Sequence, residues 1–317
     1  MNNSRAQVIV AECPTADITL DFHRVTLDAL PRIAPYLRLS TSRTCDYSTG
    51  GIAMWVDYFN YEYAIAADTL FIKGLDESDR SHEAFAVPLG ALPLADAIDV
   101  LRRYCASRNQ VLVLSAVPEE YLPALTMLGA TDIRRLDAWS DYLYSADELA
   151  SLQGHIFNKK RNHVNRFLTD NPDAVLEEIT TDNIPEILAF IDSIDVCGKA
   201  DVAMAEFERE QTRAVFASWP RYGFEGAALR AGGRIVAFTA GEIIGDTLIL
   251  HIEKMNHEVA GAGETINKMF AERIVAQNPS VKYINREDDA GDPGLRRAKE
   301  SYHPVRLLSK YDLTMPL

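Results

Sequence analysis

The sequence predicts an α/β protein built from two similar units in tandem. The chain has 317 residues, of which 47% are hydrophobic and 25% charged, an ordinary composition for a folded protein with a buried core. This length exceeds what a single core usually reaches, so two domains are expected. Strand-like and helix-like segments also follow one another in a similar order in the two halves, although the residues themselves differ.

The first half begins with a helical segment and continues with strand-like ones. Helical TLDALPRIAPYL follows DITLDFHRV, and the strand-like runs WVDYFNYEYAIAAD and TLFIKGL come next. The spacing of apolar residues then predicts, in order, the helix LPLADAIDVLRRYCASRN, the strand QVLVLSAV, the helix PEEYLPALTMLG and the strand TDIRRLDAWSDYLY.

The second half shows the clearer pattern. The strand AVLEEIT precedes two amphipathic helices, NIPEILAFIDSI and MAEFEREQTRAVFASW. Three strand-like runs, FEGAALRAGG, RIVAFTAGEIIGD and TLILHIEKMN, follow with Gly-Gly and Gly-Asp turns between them. The unit ends with the helix GAGETINKMFAERIVAQNP, the strand VKYINRED, the short helix DPGLRRAKESYHP and the strand VRLLSKYDL.

The two predicted units join between about Tyr144 and Pro172, since these are the nearest element ends on either side. We therefore expect an N-terminal domain over 1–150, a basic linker helix over 151–172 and a C-terminal domain over 173–317. Domain junctions are frequent places for ligand clefts, so a central cleft is expected there.

The charge of the chain argues against one class of function. With 32 basic and 46 acidic residues, the net charge is −14. A strongly acidic protein is repelled by phosphate backbones, so a general nucleic-acid-coating role is not expected. A local basic strip can nevertheless hold a few phosphates.

The cysteines and histidines do not predict a metal site. The four cysteines form no CxxC pair, and the sequence has no HxxxH or HExxH spacing. Neither a signal peptide nor 18 consecutive apolar residues is evident, so we expect a cytoplasmic protein with no transmembrane helix. The cysteines are Cys13, Cys45, Cys105 and Cys197.

The segment GHIFNKKRNHVNRFLTDNP, residues 154–172, is basic in this acidic chain. On a helix, Lys159, Asn162 and Arg166 fall on one face, while the apolar residues of the neighbouring face can pack inwards. The segment is either a solvated linker helix or a site for phosphates. Its candidate binding residues are Lys159, Lys160, Arg161, Asn162, Asn165 and Arg166.

Two glycines, Gly261 and Gly263, precede the helix of the second unit that follows its three-strand run. The first turn of a helix presents free backbone N–H groups, which can bind an anion such as a cofactor pyrophosphate. The alternative is an ordinary strand–turn–helix connection in which glycine only relieves strain. Glu264 favours that alternative, because its carboxylate would stabilise the helix end by itself.

A polar run follows the strand VKYIN. Open α/β sheets bind ligands beyond the carboxyl ends of their strands, so this is a candidate site. Paired carboxylates at Asp288 and Asp289, beside Arg286, can bind a cationic amine or act as a general base. The alternative is a solvated acidic turn. The other candidates here are Asn285 in the strand and Lys299 and Tyr302 in the short helix beyond it.

One further pair of candidates lies on the strand TLILHIEKMN. His251 and Glu253 alternate along it, so they are expected to share one face that points into a cleft.

Three blocks resemble the DUF2156 family, which is related to the C-terminal catalytic domain of phosphatidylglycerol lysyltransferase. They are LQGHIFNKKRNHVNRF, LILHIEKMNHEVAGAGETINKMFA and YINREDDAGDPGLRRAKESYHPVRLLSKYDL, within a resemblance that runs from Asp21 to Leu313. The resemblance implies two tandem GNAT-like acyltransferase folds with mixed sheets and a central cleft. It also implies relatives that move an aminoacyl group from aminoacyl-tRNA to a lipid or peptide.

The resemblance thus implies an aminoacyl- or acyl-transferase whose acceptor is a lipid, a peptide or a small molecule. In that enzyme the basic segment would hold donor phosphates, and Asp288, Asp289 and Glu253 would meet the amine or act as base. Asn285, Arg286 and Tyr302 would orient the reacting groups. Two alternatives stay open: an acyl-CoA-dependent enzyme with its pyrophosphate at Gly261 and Gly263, and a non-catalytic protein that binds an anionic metabolite or lipid.

Overall fold

The computed structural model of the chain describes residues 18–76, 80–194 and 202–317, so Cys13 and Cys197 lie outside the described residues. The elements of the first half are β1 His23–Arg24, α1 Leu30–Leu37, α2 Thr49–Phe59, β2 Glu62–Ala66, β3 Thr69–Leu75, β4 Glu83–Phe85, β5 Leu89–Gly90, α3 Leu94–Ala106, β6 Leu112–Pro118, α4 Leu122–Met127, β7 Thr131–Arg135 and β8 Asp141–Ser145.

The second half follows from there. Its elements are α5 Ala146–Ser151, α6 Asn158–Asp170, β9 Val175–Glu178, α7 Ile184–Ser193, α8 Val202–Ala217, β10 Glu225–Ala231, β11 Arg234–Ile244, β12 Thr247–Met255, α9 Ala262–Gln277, β13 Tyr283–Asn285, α10 Pro293–Glu300, β14 Arg306–Leu308 and β15 Lys310–Met315. Among these described helices, none is both long and apolar enough to cross a membrane.

The first sheet has the strand order β1-β2-β3-β4-β6-β15-β7, with β5 paired to β3. Its strands pair antiparallel except β4 and β6, which run parallel and pair at Phe85 and Leu114. The apolar face of α3 packs on this sheet, where Leu101 joins Phe71 and Leu114 in a core from which water is excluded.

The second sheet has the order β14-β8-β13-β12-β11-β10-β9 and apolar clusters on both faces. Ile284 and Phe270 belong to the cluster beneath α9, while Phe238 and Phe216 belong to the cluster beneath α7 and α8. The parallel pairing of β12 with β13 covers only Thr247–Ile249 on β12. Beyond that point β12 continues while β13 ends, which leaves room for side chains between them.

Two strands lie in the sheet that is formed mainly by the other half of the chain. β8 falls within the predicted 1–150 but lies in the second sheet, and β15 falls within the predicted 173–317 but pairs with β6 and β7 of the first sheet. The single strands predicted for TDIRRLDAWSDYLY and VRLLSKYDL are therefore wrong, because each segment divides between two sheets. The domain ranges 1–150, 151–172 and 173–317 stay a prediction, and the sheets do not follow them.

A helix replaces part of another predicted strand. Trp55–Phe59, expected to be extended because of its aromatic content, ends α2. The Ser48 side chain accepts a hydrogen bond from the Gly51 N–H at the start of this helix, and Asn60 ends it in the left-handed conformation (φ 53°). These two caps stabilise a helix here, although the aromatic residues by themselves favour a strand.

The predicted basic helix is present as α6. Its Val164 and Phe167 are buried and pack towards α9, as its apolar face predicts. The fold class is confirmed as mixed α/β with two mixed sheets. α6, β12, β13 and α9 are the elements that position the candidate site.

Candidate functional site

A cluster of charged and aromatic side chains lies where β12 continues past the end of β13. Arg286, the first residue after β13, donates a hydrogen bond from Nε to Glu253 Oε2 on β12 at 2.9 Å. The surrounding side chains come from β8, α6, α9 and the segment after α10. We call Tyr144, Lys160, Glu253, Glu264, Asn267, Arg286 and Tyr302 the Arg286 cluster.

Arg286 has an unused hydrogen-bond donor. Its side chain is 10% exposed, and its guanidinium carbon lies 4.8 Å from the ring centroid of Tyr302 and 5.7 Å from that of Tyr144. Burial opposes its charge, but the Glu253 carboxylate more than offsets this and raises the pKa of the guanidinium. Within the described residues, Nη1 is buried without a hydrogen-bond partner. Such a group is costly to leave unpaired and is therefore available to an oxygen atom of a ligand.

Lys160 brings a second cation to the same aromatic ring. Its Nζ lies 3.9 Å from the ring centroid of Tyr302 and 3.5 Å from Glu264 Oε1. Burial lowers the pKa of this amine, although the Glu264 carboxylate opposes the shift. His163 also approaches Glu264, with 3.3 Å between Nδ1 and Oε1. The Tyr302 ring is thus flanked by an ammonium and a guanidinium.

The carboxylates of the cluster face the solvent in part. Glu253 Oε1 accepts a hydrogen bond from Asn267 Nδ2 at 3.1 Å, while its Oε2 accepts from Arg286. Glu253 and Glu264 are each 20% exposed, so a ligand can reach them. Burial raises the pKa of the Tyr302 phenol, which therefore stays neutral and can donate a proton to a hydrogen bond.

The cluster can therefore bind a zwitterionic or polarised group. Two cations offer donors to an oxyanion or carbonyl oxygen, and two carboxylates offer acceptors to an ammonium group. The tyrosine rings exclude water from one side, which strengthens these interactions.

Asp289, a predicted catalytic residue, is fully engaged elsewhere. It accepts hydrogen bonds from the Tyr142 hydroxyl (2.6 Å) and from two nitrogens of Arg296 (2.8 and 2.9 Å). Burial alone would raise its pKa, but Arg296 and Tyr142 lower it. Asp289 thus fastens the loop after β13 to α10 and offers no free oxygen to a substrate.

Asp288 also lies apart from the Arg286 cluster. Its charged neighbours are Lys310, Asp141, Lys299 and Glu287, rather than Glu253. Burial raises the pKa of Asp288 to about 7, and the nearby lysines oppose that shift. A carboxyl group of this pKa is suited to proton transfer, but the predicted pairing of Asp288 with Asp289 as one site stays a prediction.

Two other candidates hold the loop in place. Lys299 is buried, and its Nζ donates to the backbone carbonyl of Arg286 at 2.6 Å and to that of Asp288. Asn285 Nδ2 donates to the Arg43 carbonyl at 2.6 Å and to Asp141 Oδ2 at 2.8 Å. These contacts fix where Arg286 emerges from β13.

The side chains of the basic segment lie in different environments. Lys160 alone of its candidates enters the Arg286 cluster, whereas Arg161 donates to the carbonyls of Leu152 and Gly154 and so ties the turn before α6. Arg166 is 78% exposed and lies 3.5 Å from Asp170. Three more candidates are exposed on α6: Lys159, Asn162 and Asn165.

The glycines before α9 allow close packing. Gly261 has φ 84°, and a Cβ there would lie 2.7 Å from the His163 carbonyl oxygen of α6. A Cβ at Gly263 would overlap the Met255 sulfur of β12. Glu264 occupies the first turn of α9, as the sequence indicated. A pyrophosphate at these glycines stays a prediction, and their packing favours the structural alternative.

A buried histidine system was not predicted. His251 Nδ1 lies 2.7 Å from Glu287 Oε1, and Nε2 lies 3.1 Å from Glu242 Oε1, which also accepts from the Gly50 N–H of α2. Burial lowers the pKa of His251, but the two carboxylates raise it to about 9 overall. His251 is therefore charged near neutral pH and joins α2 of the first half to the loop after β13.

The position of His251 corrects a prediction. Gly241 on β11 pairs with Leu250, and Ala240 pairs with Ile252, so His251 is an extra residue in a β-bulge. The bulge breaks the alternation of side chains, and His251 contacts Glu287 while Glu253 contacts Asn267 of α9. The prediction that His251 and Glu253 share one face is wrong.

A second buried charge group joins the two sheets. Lys310 Nζ lies 2.8 Å from Asp46 Oδ2, 2.8 Å from Asp141 Oδ1 and 3.3 Å from Cys45 Sγ. Cys45, Asp46 and Asp141 have the spacing of metal ligands. The Lys310 ammonium already places a positive charge among them and forms ion pairs with both carboxylates.

Comparison with known proteins agrees with the fold. The chain matches the family model "Phosphatidylglycerol lysyltransferase, C-terminal" over residues 37–314. A crystal structure of a conserved protein of unknown function from Bacteroides thetaiotaomicron is 30% identical, with a TM-score of 0.85 over 94% of this chain and 100% of that chain. No curated protein matches the chain.

Two more solved structures share the fold at low identity. The DUF2156 domain of a lysylphosphatidylglycerol synthetase from Agrobacterium fabrum is 12% identical, with a TM-score of 0.64 over 92% of both chains. L-PGS from Bacillus licheniformis is 12% identical, with a TM-score of 0.63 over 90% of this chain and 91% of that chain.

Proposed function

Since the chain belongs to the phosphatidylglycerol lysyltransferase C-terminal family, we propose that it moves an aminoacyl group from aminoacyl-tRNA to an acceptor at the Arg286 cluster. The resemblance to DUF2156 is confirmed by this membership, and the two mixed sheets agree with the mixed-sheet fold that the resemblance implied. Family and fold are those of aminoacyl- and acyl-transferases. The donor, the acceptor and the roles of individual residues are the proposal.

The observation that carries the proposal is the unpaired Nη1 of Arg286. It is a buried cationic donor, beside a carboxylate that is partly open to solvent. In aminoacyl transfer, negative charge develops on the carbonyl oxygen as the acceptor attacks the carbonyl carbon. A fixed donor in a water-poor site stabilises that charge more in the transition state than in the ground state.

The remaining residues of the cluster supply the other needs of the reaction. An acceptor hydroxyl or amine forms the new bond to the acyl carbon and gives its proton to Glu253. The ester bond to the donor breaks, and the same proton goes to the leaving oxygen. Glu264 receives the α-ammonium group of the aminoacyl moiety, and Lys160 and Tyr302 hold the ester oxygens in place.

The exposed face of α6 supports a polyanionic donor. Lys159 and Arg166 lie along the same helix as Lys160. A donor whose phosphates bind along this helix can therefore extend towards Arg286. An acyl-CoA donor is the second candidate, and the close packing at Gly261 and Gly263 together with Glu264 speaks against it. Non-catalytic anion binding is the third, since an unpaired guanidinium nitrogen also suits a ligand that does not react.

Transfer assays with two donor sets test the proposal. The protein is incubated with tRNA charged with labelled amino acids, or with acyl-CoAs, together with lipid vesicles or peptides as acceptors. We expect label to move from tRNA, and we expect Arg286→Gln to slow the transfer by about 10²–10³-fold, as removal of an oxyanion donor does.

Arg273→Gln is the matched control. This arginine of α9 is also partly buried, lies 5.1 Å from the Phe270 ring centroid and donates to the Gly226 carbonyl, away from the cluster. Equal losses in both variants would mean that Arg286 acts through stability alone. Transfer from acyl-CoA but not from tRNA would replace the proposed donor with the second candidate.

A further inference from the structure

One side chain of the Arg286 cluster is itself a bound ammonium group. Lys160 Nζ lies 3.9 Å from the ring centroid of Tyr302 and 3.5 Å from Glu264 Oε1. The side chain of Lys160 is 13% exposed and that of Glu264 is 20% exposed. An aromatic face beside a carboxylate suits a cationic amine. The chain's own lysine therefore shows where the ammonium group of a ligand can bind.

The packing of two helices builds this position. Gly261, ahead of α9, allows the backbone of α6 to approach, because a Cβ there would lie 2.7 Å from the His163 carbonyl oxygen. Glu264 in the first turn of α9 therefore faces Lys160 on α6. The side chain of Tyr302 is buried. The ring and the carboxylate are thus held in place by parts of the fold other than Lys160.

Lys160 is held only loosely in this position. Its distance of 3.5 Å to Glu264 exceeds the roughly 2.7–2.9 Å of a charge-assisted hydrogen bond. Burial lowers the pKa of the Lys160 amine; Glu264 opposes this shift, and the charges of Arg286 and Lys159 add to it. A lysine has a long flexible side chain, so Nζ can move away without any change in the backbone. A ligand ammonium group that makes a shorter contact with Glu264 can therefore displace it.

We propose that Lys160 fills an ammonium site in the free protein, and that the free amine of the aminoacyl donor displaces it. Glu264 and the Tyr302 ring then hold the donor's amine, and the released Lys160 holds the ester oxygens. The exchange rests on the proposed function, because it concerns the donor of that reaction. It adds an order of events: Lys160 reaches the ester only after a cationic amine has taken its place.

The exchange selects one class of donor. An aminoacyl ester with a free primary amine carries the ammonium group that replaces Lys160. An ester whose amine is acylated, such as a formylated or peptidyl ester, is uncharged at this position and cannot form an ion pair with Glu264. Lys160 then stays on Glu264, and the ester oxygens lack one of their cations. We therefore expect the protein to use aminoacyl esters and to reject N-acylated ones.

A pair of donor analogues that cannot react tests the exchange. In the first, alanine is joined to 3′-amino-3′-deoxyadenosine by an amide bond, and in the second the amine of that alanine is acetylated. Calorimetry with the full-length protein gives the Kd of each analogue, and the ratio of the two values is the preference for the free amine.

The variants should change this preference in opposite directions. We expect the wild type to prefer the free amine about tenfold, because one ammonium group replaces another there. Lys160→Met should prefer it about 100-fold, because nothing has to be displaced, and Lys160→Ala repeats this test with a smaller side chain. Glu264→Gln should bind both analogues about equally, because the ion pair with the amine is lost.

Lys268→Met is the matched control. Lys268 lies on α9, is 21% exposed and pairs with Glu272, so its loss removes the same charge from a similar environment. We expect its preference to equal that of the wild type. An equal rise in Lys268→Met and Lys160→Met would overturn the exchange, because net charge alone would then explain the preference.

Two further outcomes would overturn the exchange while leaving the proposed donor in place. They are a preference in both Lys160 variants that is no higher than in the wild type, and a preference that persists in Glu264→Gln. In the first case Lys160 does not compete with the amine, and in the second the amine binds elsewhere. Failure of the wild type to bind either analogue would overturn the proposed donor, and the exchange with it.

Discussion

His251 allows a prediction about the pH dependence of stability. The histidine is buried between Glu242 and Glu287, and these carboxylates raise its pKa to about 9. The pKa of an unfolded histidine is about 6.5. A group whose pKa is raised on folding contributes its full stability below the unfolded pKa, and that contribution is lost as the pH rises through the folded pKa.

The magnitude follows from the difference between the two pKa values. Each pKa unit corresponds to about 1.4 kcal/mol, so a difference of roughly 2.5 units corresponds to about 3 kcal/mol. We therefore expect His251→Gln to be less stable than the wild type at pH ~6. The deficit should shrink by about 3 kcal/mol as the pH rises to ~10, because the wild type loses the charge that the variant never had.

Urea unfolding of both proteins across this pH range measures the difference. His257→Gln is the control for the loss of a histidine side chain, since His257 is exposed on the turn before α9. Taking the difference between His251→Gln and the wild type removes the contributions of other groups, such as Asp288, whose raised pKa of about 7 also lowers the stability as the pH rises. A deficit that stays constant between neutral and alkaline pH would refute the assignment of His251 as a buried cation.

Three further predictions concern packing and charge in the described residues. Lys310→Met leaves Asp46 and Asp141 buried without their cation and should lower the free energy of unfolding by about 3–5 kcal/mol. Adding Asp46→Asn should restore part of the lost stability, and no recovery would contradict the pairing of Lys310 with Asp46. Gly261→Ala places a Cβ against the His163 carbonyl at positive φ and should cost about 2 kcal/mol or more in thermal unfolding, whereas Gly245→Ala, with open space at φ 59°, should cost about 1 kcal/mol. Asp289→Asn weakens the contacts to Arg296 and Tyr142 and should raise the protease sensitivity of the loop after β13, while Asp170→Asn on exposed α6 should leave it unchanged.

The sequence predicted the candidate site in part. Lys160, Glu253, Arg286 and Tyr302 were all candidates, and the structure brings them into one cluster. A polar run at the end of a strand and a basic helix are local patterns, so both can be recognised from the sequence alone. What local patterns leave open is which carboxylate remains accessible, and this is why Asp289 could not be distinguished from Glu253.

The remaining differences depend on contacts between distant parts of the chain. The bulge at His251 depends on its pairing with β11, and the partners of Asp289 are Tyr142 and Arg296. Lys310 meets Asp46 only because β15 returns to the first sheet. Nothing in the spacing of these residues along the chain indicates such pairings. The fold class was predictable because periodicity and turns are local, whereas the exchange of β8 and β15 was not.

The most direct test of the account is a single-turnover measurement of aminoacyl transfer at saturating donor, made for the wild type and for Arg286→Gln, with donor affinity measured in parallel. If Nη1 of Arg286 stabilises the developing charge, the transfer rate should fall by about 10²–10³-fold, while donor affinity changes only a few-fold. A transfer rate equal to that of the wild type would contradict the account.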